Sequence, residues 1–291
     1  MKKILFKGSG VAIITPFNNS GVDFGKLEEL IENQIANKTD AIIICGTTGE
    51  TPTMANKEKE AAIEFTVKTV NQRISVIAGT GSNNTKQAIE ASKHAQSVGV
   101  DGILSVVPYY NKPTQRGLYE HFKAIAESVA STPIILYNVP GRTVVNLDVK
   151  TTIRLSEYEN IVAIKECVLS QIGEIKLKTD LAIYTGEDSA YLPALCSGAH
   201  GVISVMANII PKDTHMIYEY YKNNELEEAQ KIYLKTLELI NALFIESNPV
   251  PTKTALNLLG KNVGGPRLPL VEMETSNLEI LKTALKNYGL L

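Results

Sequence analysis

The sequence predicts an α/β protein, a (β/α)8 TIM barrel over residues 1–224 followed by a small C-terminal helical domain over 225–291. Three observations predict it. Short runs rich in Val and Ile recur eight times with helical patterning between them. These runs are almost continuously apolar, as strands covered on both faces of a parallel sheet are. After Asn224 the strand runs stop and only helical periodicity remains. A doubly wound open sheet shares the alternation. No Gly-x-Gly-x-x-Gly follows the first run, which weakens the nucleotide-binding version of that competitor. A barrel of roughly 250 residues absorbs most of the chain as one domain.

In chain order the candidate strands are Gly10 to Ile14, Ala41 to Cys45, Ser75 to Ala78, Gly102 to Val107, Pro133 to Tyr137, Ile161 to Lys165, Leu181 to Thr185 and Gly201 to Val205. The intervals between them are long enough for a crossover helix each time. Lys26 to Asn37 places Leu27, Leu30, Ile31 and Ile35 at helical spacing, and Lys57 to Val70 does so with Ala61, Ala62, Phe65 and Val70. Asp23, Asn56 and Asn84 are the expected N-caps, since a short polar side chain there accepts an otherwise unpaired N–H of the first turn. Beyond Asn224, the residues Leu226, Ala229, Tyr233, Leu237, Ile240 and Phe244 form one helical stripe, which Pro249 and Pro251 are expected to stop. A short helix fits Thr252 to Leu259 with Gly260 at its end, and a last one is expected to start at the capping box Ser276-x-x-Glu279.

Charge and composition exclude several classes. The 29 basic side chains balance 31 acidic ones for a formal net charge of −2, and charged residues are 21% of the chain without any long like-charged run. Intrinsic disorder and electrostatic nucleic-acid binding are therefore not expected. Met1 to Phe6 has two lysines followed by only three apolar residues, too few for a secretory core, and no apolar run approaches about 20 residues. A cytoplasmic protein with no membrane partner is expected. The three cysteines, Cys45, Cys167 and Cys196, are widely spaced and odd in number, which suits small buried hydrophobes better than disulfides or zinc. The four histidines show no ligand spacing, so neither a metal nor an organic cofactor is expected in catalysis.

Barrel chemistry sits where strands end, at the C-terminal face. Four strand ends are polar: Cys45-Gly46-Thr47-Thr48-Gly49-Glu50, Pro108-Tyr109-Tyr110-Asn111, Tyr137-Asn138-Val139-Pro140-Gly141-Arg142-Thr143 and Ile164-Lys165-Glu166. By period-two alternation Ile161, Ala163 and Lys165 share one face, and their apolar neighbours imply burial. A buried lysine loses hydration, which lowers its pKa and frees an amine to attack a carbonyl and form a Schiff base. The same pattern fits a lysine that snorkels at a strand end or pairs with Glu166. Tyr137 has the matching parity, and its phenol can pass protons to such an intermediate or serve as a core tyrosine bonded to backbone. Gly46-Thr47-Thr48-Gly49 offers hydroxyls and backbone N–H groups for a small carboxylate, although a Gly-Thr turn is often only a turn. Arg142 follows Pro140-Gly141, so a stiff turn presents either a fork for a substrate carboxylate or an ordinary surface arginine.

Together these residues resemble the dihydrodipicolinate synthase family, pyruvate-dependent class I aldolases that include N-acetylneuraminate lyase. The likeness runs essentially the whole length, through Gly46–Glu50, Pro108–Pro113, Tyr137–Thr143, Ile164–Glu166 and Gly201–Val205. The resemblance implies condensation of pyruvate with L-aspartate 4-semialdehyde to 4-hydroxy-tetrahydrodipicolinate, the committed step toward diaminopimelate and lysine. It implies a pyruvyl imine on Lys165, proton relay by Tyr137 with Thr47 and Tyr110, and pyruvate carboxylate binding at Thr47 and Thr48. Gly186 and Ile203 offer backbone contacts, and Arg142 holds the semialdehyde carboxylate. Sister lyases for keto-deoxy sugar acids, the alternative reading, typically depart from that arginine. Tyr110 is implied to reach a neighbouring subunit's site, giving a homo-oligomer of at least a dimer, commonly a tetramer. Lysine-inhibited members carry an effector pocket with two histidines and a glutamate. Here the pocket positions are Thr51, Asn56, Lys59, Asn83, Gln87 and Tyr109, of which Asn56, Lys59 and Gln87 replace those three. Without the carboxylate, and with a cation added, lysine inhibition is expected to be weak or absent.

Overall fold

A computed structural model describes residues 2–291. Eight parallel strands close into a barrel: β1 (Gly8–Ala12), β2 (Ala41–Ile44), β3 (Ser75–Gly79), β4 (Gly102–Val106), β5 (Ile134–Asn138), β6 (Ile161–Glu166), β7 (Ala182–Thr185) and β8 (Gly201–Ser204). Each coincides with one predicted run, with ends shifted by at most two residues. The strand residues are buried almost throughout, which explains why the runs read as continuous rather than alternating. Helices alternate with the strands: α1 (Phe24–Ala36), α2 (Asn56–Val70), α3 (Thr85–Ser97), α4 (Gln115–Ser128), α5 (Pro140–Thr143), α6 (Val149–Leu155), α7 (Leu169–Lys178), α8 (Tyr191–Cys196) and α9 (Pro211–Lys222). Three more complete the chain, α10 (Leu226–Leu243), α11 (Val250–Leu258) and α12 (Thr275–Tyr288). No helix among the described residues is long and apolar enough to cross a membrane.

Two compact units can be described separately. One comprises the segment up to Lys7 with Ser75–Ile203, the other Gly8–Ile74 with Ser204–Leu291. In the first unit β5 and β6 pair in register as Ile135 with Ala163, Tyr137 with Lys165 and Asn138 with Glu166. Gly81 is required there by close approach, because a Cβ would lie 2.3 Å from the backbone nitrogen of Val106. In the second unit the Asn208 amide ties β1 to the residues after β8, donating to Ala12 O at 2.9 Å and accepting from Ile14 N at 3.1 Å. Asp40 accepts the Ser9 N–H at 2.7 Å and faces His215 Nδ1 at 3.2 Å, fixing the entry to β1.

The caps divide. Asp23 and Asn84 cap α1 and α3 as expected. Asn56 does not cap α2: the cap is Ala55, whose N–H donates to Glu58 Oε2 at 2.9 Å. The Ser276 box is also absent, because α12 is capped at Glu274, whose N–H donates to Glu246 Oε1 at 3.0 Å. A carboxylate from elsewhere in the chain supplies there what a local side chain would have supplied. Pro249 and Pro251 do not terminate α10, which ends at Leu243; they open α11, where a missing N–H costs nothing. The α10 stripe is buried only in part, since Leu226 and Phe244 at its ends are exposed. The cysteines are not uniformly buried: Cys45 is, Cys167 is half-buried and Cys196 is exposed at the last turn of α8.

Candidate active site

The first unit carries Lys165, Tyr137, Arg142, Gly186, Ile203 and Tyr110. Lys165 and Tyr137 are each 6% exposed, and the lysine Nζ stands 4.3 Å from the centre of the phenol ring. Their in-register pairing on parallel strands points both side chains to the same side, as the sequence parity predicts. Burial pushes the Lys165 pKa below the usual lysine range; Cys167, Asp188 and Glu187 oppose that shift through space, and Arg142 adds to it. An amine held this way is nucleophilic at a lower pH than a solvated one. Cys167, one residue beyond the strand, has its thiol pushed above its ordinary range by burial.

Gly186 has a steric explanation. A Cβ there would come within 2.4 Å of Cys167 Sγ and 2.8 Å of Lys165 Cε, so glycine is what lets the lysine stem pass. Its N–H donates to Glu166 O at 3.0 Å, anchoring the turn after β7 to the end of β6. Ile203 is fully buried on β8. Glu166 does not pair with Lys165. It follows it on the strand and faces the other way, and its Oε1 accepts from Val168 N at 2.7 Å and Asn138 Nδ2 at 2.9 Å. Arg142 lies exposed on α5, a single turn opened by Pro140. Tyr110 is 88% exposed and sits at φ 71°, in the left-handed region that a bulky residue rarely adopts. Asn83 O accepts from Asn111 Nδ2 at 2.9 Å in this same segment; Gln87 and Tyr109 are exposed.

The second unit carries the Gly46–Glu50 turn. It is closed by Gly49 N donating to Gly46 O at 3.1 Å and Glu50 N to Thr47 O at 3.0 Å, with Cys45 and Glu50 both at positive φ. The Thr51 hydroxyl donates to Gly46 O at 2.8 Å, so Thr51 builds the turn itself. Burial raises the Cys45 thiol to about 12, which keeps it neutral. Thr48 is buried and its Oγ1 accepts from Asn248 Nδ2 at 2.9 Å, while Thr47 is half-buried. Behind the turn Glu50 Oε1 meets Lys253 Nζ at 2.5 Å, both side chains fully buried, and Glu50 Oε2 accepts the Arg267 N–H at 2.8 Å. The Arg267 guanidinium forks onto Glu58 at 2.7 and 2.9 Å and lies 3.8 Å over the Phe17 ring. The segment after Ser247 thus holds the turn in shape. Asn56 is exposed and Lys59 half-buried on α2.

Sequence reasoning missed Glu50, Asn248, Lys253 and Arg267 as supports of this turn. Glu50 had a signal, a carboxylate closing a Gly-rich turn, but its partners Lys253 and Arg267 lie far along the chain, 217 residues away in the case of Arg267. Among the described residues, no group of three or more histidine, cysteine or carboxylate side chains is arranged to hold a metal.

The model of the dihydrodipicolinate synthetase family matches residues 5–288. A 4-hydroxy-tetrahydrodipicolinate synthase of Acetivibrio thermocellus is 57% identical, with 100% of each chain covered. The crystal structure of dihydrodipicolinate synthase from Aquifex aeolicus superposes with a TM-score of 0.95 at 48% identity, covering 98% of this chain and 99% of that one. Another, described as a monomeric dihydrodipicolinate synthase variant, has a TM-score of 0.96 at 40% identity and covers 99% of this chain and 98% of that one.

Proposed function

The chain belongs to the dihydrodipicolinate synthetase family, and we propose that it condenses pyruvate with L-aspartate 4-semialdehyde through a Schiff base on Lys165. The enzyme is a lyase of the class I aldolase type, acting in diaminopimelate and lysine biosynthesis, and its product is 4-hydroxy-tetrahydrodipicolinate. The observation that carries the reading is the buried amine of Lys165, lowered in pKa and facing the Tyr137 ring at 4.3 Å.

The amine attacks the pyruvate carbonyl and water leaves, forming an imine that acts as an electron sink. Loss of a methyl proton then gives an enamine, whose carbon attacks the aldehyde; the semialdehyde's own amine displaces Lys165 as the ring closes. Tyr137 moves protons at these steps, relayed with Thr47 and Tyr110. Thr47 and Thr48 hold the pyruvate carboxylate, Gly186 and Ile203 contribute backbone contacts, and Arg142 receives the semialdehyde carboxylate. The reaction uses the covalent imine and no other cofactor. The exposure of Tyr110 on a left-handed turn supports a role in a neighbouring subunit's site, within a cytoplasmic dimer or tetramer. Asn56, Lys59 and Gln87 offer no carboxylate for an effector ammonium, so lysine inhibits weakly or not at all.

The purified chain is tested with pyruvate against L-aspartate semialdehyde and against sugar-derived aldehydes. Turnover with the semialdehyde and little with the sugars is expected. Turnover with sugar aldehydes alone would replace this reading by the keto-deoxy sugar acid aldolase. Half-maximal inhibition at micromolar lysine would overturn the effector reading, and a monomer by sedimentation would overturn the shared site.

A further inference from the structure

The segment that carries Arg142 leaves β5 at Asn138 and returns at Leu147, and both ends are held by one polar network. Asn138 is fully buried; its Oδ1 accepts the Leu147 N–H at 2.9 Å, which fixes the amide's orientation because a backbone N–H can only donate. Its Nδ2 therefore faces acceptors, Asn146 Oδ1 at 2.7 Å and Glu166 Oε1 at 2.9 Å. Gln171 on α7 closes the circuit, donating to Glu166 Oε2 at 3.0 Å and accepting from Asn146 Nδ2 at 2.8 Å. From α4, Gln115 adds a second hold on the returning strand of the loop, donating to Asn146 O at 2.7 Å and accepting from Asp148 N at 3.2 Å.

None of these side chains is in the set of residues that takes the substrates, yet the network clamps the stem of the turn between Val139 and Leu147. Asn138 and Glu166 pair in register one residue beyond Tyr137 and Lys165, so the same two strand ends present reacting groups on one face and the clamp on the other. A hydrogen-bonded buried carboxylate with amide partners holds its neighbours in one arrangement, because each partner lost leaves a buried group unsatisfied.

We propose that Glu166 and Gln171, acting through Asn138 and Asn146, are positioning residues that hold the Arg142 turn and so set affinity for the aldehyde substrate's carboxylate. The proposal rests on the reading that Arg142 receives that carboxylate. It predicts an asymmetry between the two substrates: loosening the clamp weakens the semialdehyde and spares pyruvate.

Gln171→Ala, the near-isosteric Gln171→Met, and Arg142→Ala alone and combined with Gln171→Ala are assayed as full-length chains. The readouts are KM for each substrate, kcat, and the fraction of chains trapped as a borohydride-reduced pyruvyl adduct. Loss of hydrogen bonds of ordinary strength is expected to raise the semialdehyde KM about fivefold in either Gln171 variant. The pyruvate KM and the trapped fraction stay at wild-type values. In the Arg142→Ala background, Gln171→Ala adds no further rise, because the effect runs through Arg142. Equal rises in both KM values, or an additive rise without Arg142, would overturn the proposal. If Arg142→Ala itself left the semialdehyde KM unchanged, the underlying assignment of Arg142 would fail, and the proposal with it.

Discussion

Lys165 and Lys253 are both buried, 6% and 1% exposed, and burial pushes the pKa of each below the usual lysine range. Their surroundings differ in one respect. Lys253 has Glu50 Oε1 at 2.5 Å and donates to Gly265 O at 3.0 Å. Around Lys165 the carboxylates act only through space, and its close neighbours are a phenol ring, a glycine and a thiol. A paired buried ammonium is a structural brace, since breaking the pair leaves an uncompensated charge. An unbraced buried amine can instead lose its proton and react. Burial alone therefore does not separate the two lysines; the carboxylate contact at Lys253 does.

Removing each lysine in turn should have the largest and most different effects. Lys165→Ala should abolish the pyruvyl adduct and cut turnover by a factor on the order of 10⁴ or more, as loss of a covalent nucleophile does. Lys253→Met should keep a trappable Lys165 but lower stability by about 3 to 5 kcal/mol in a denaturant titration, by orphaning Glu50. A loss below about 1 kcal/mol there would place Lys253 among ordinary surface ion pairs. Gly186→Ala should act on Lys165 without touching its charge: the new methyl collides with Cys167 Sγ and Lys165 Cε, and a displacement of about 1 Å can cost about 100-fold in kcat. Wild-type kcat in that variant would mean that the lysine stem has room the structure denies it.

The smallest effect concerns the residue beside Lys165. Burial raises the Glu166 pKa from 4.5 to about 7, despite the hydrogen bonds from Val168, Asn138 and Gln171 that favour the charged form. A carboxyl raised on folding binds its proton more tightly in the native state. Its contribution to stability is therefore complete below the unfolded pKa and is lost as pH rises from 4.5 through about 7. Thermal midpoints of Glu166→Gln relative to wild type should accordingly rise between pH 5 and pH 8, and a flat difference would contradict the shift.

Much of the barrel was legible because its signals are local. Continuous apolar runs such as Ala41–Ile44 and residues 161–164 report burial on both faces, and parity put Tyr137 and Lys165 on one face, where the register then pairs them. What failed was non-local. The cap of α12 comes from Glu246, the shape of the Thr47–Thr48 turn from Asn248, Lys253 and Arg267, and the clamp on the Arg142 turn from Gln171. No periodicity encodes partners that far apart. The tail read as an appendage, yet Asn248 and Lys253 serve the Gly46–Glu50 turn directly.

The contrast between the two lysines is tested most directly by the pH dependence of pyruvyl adduct formation, trapped with borohydride and mapped by peptide mass. An adduct on Lys165 alone is expected, with a rate that levels off well below the ordinary lysine pKa of about 10.4. An adduct on Lys253, or a Lys165 rate still climbing toward pH 10 like that of a solvated amine, would contradict it.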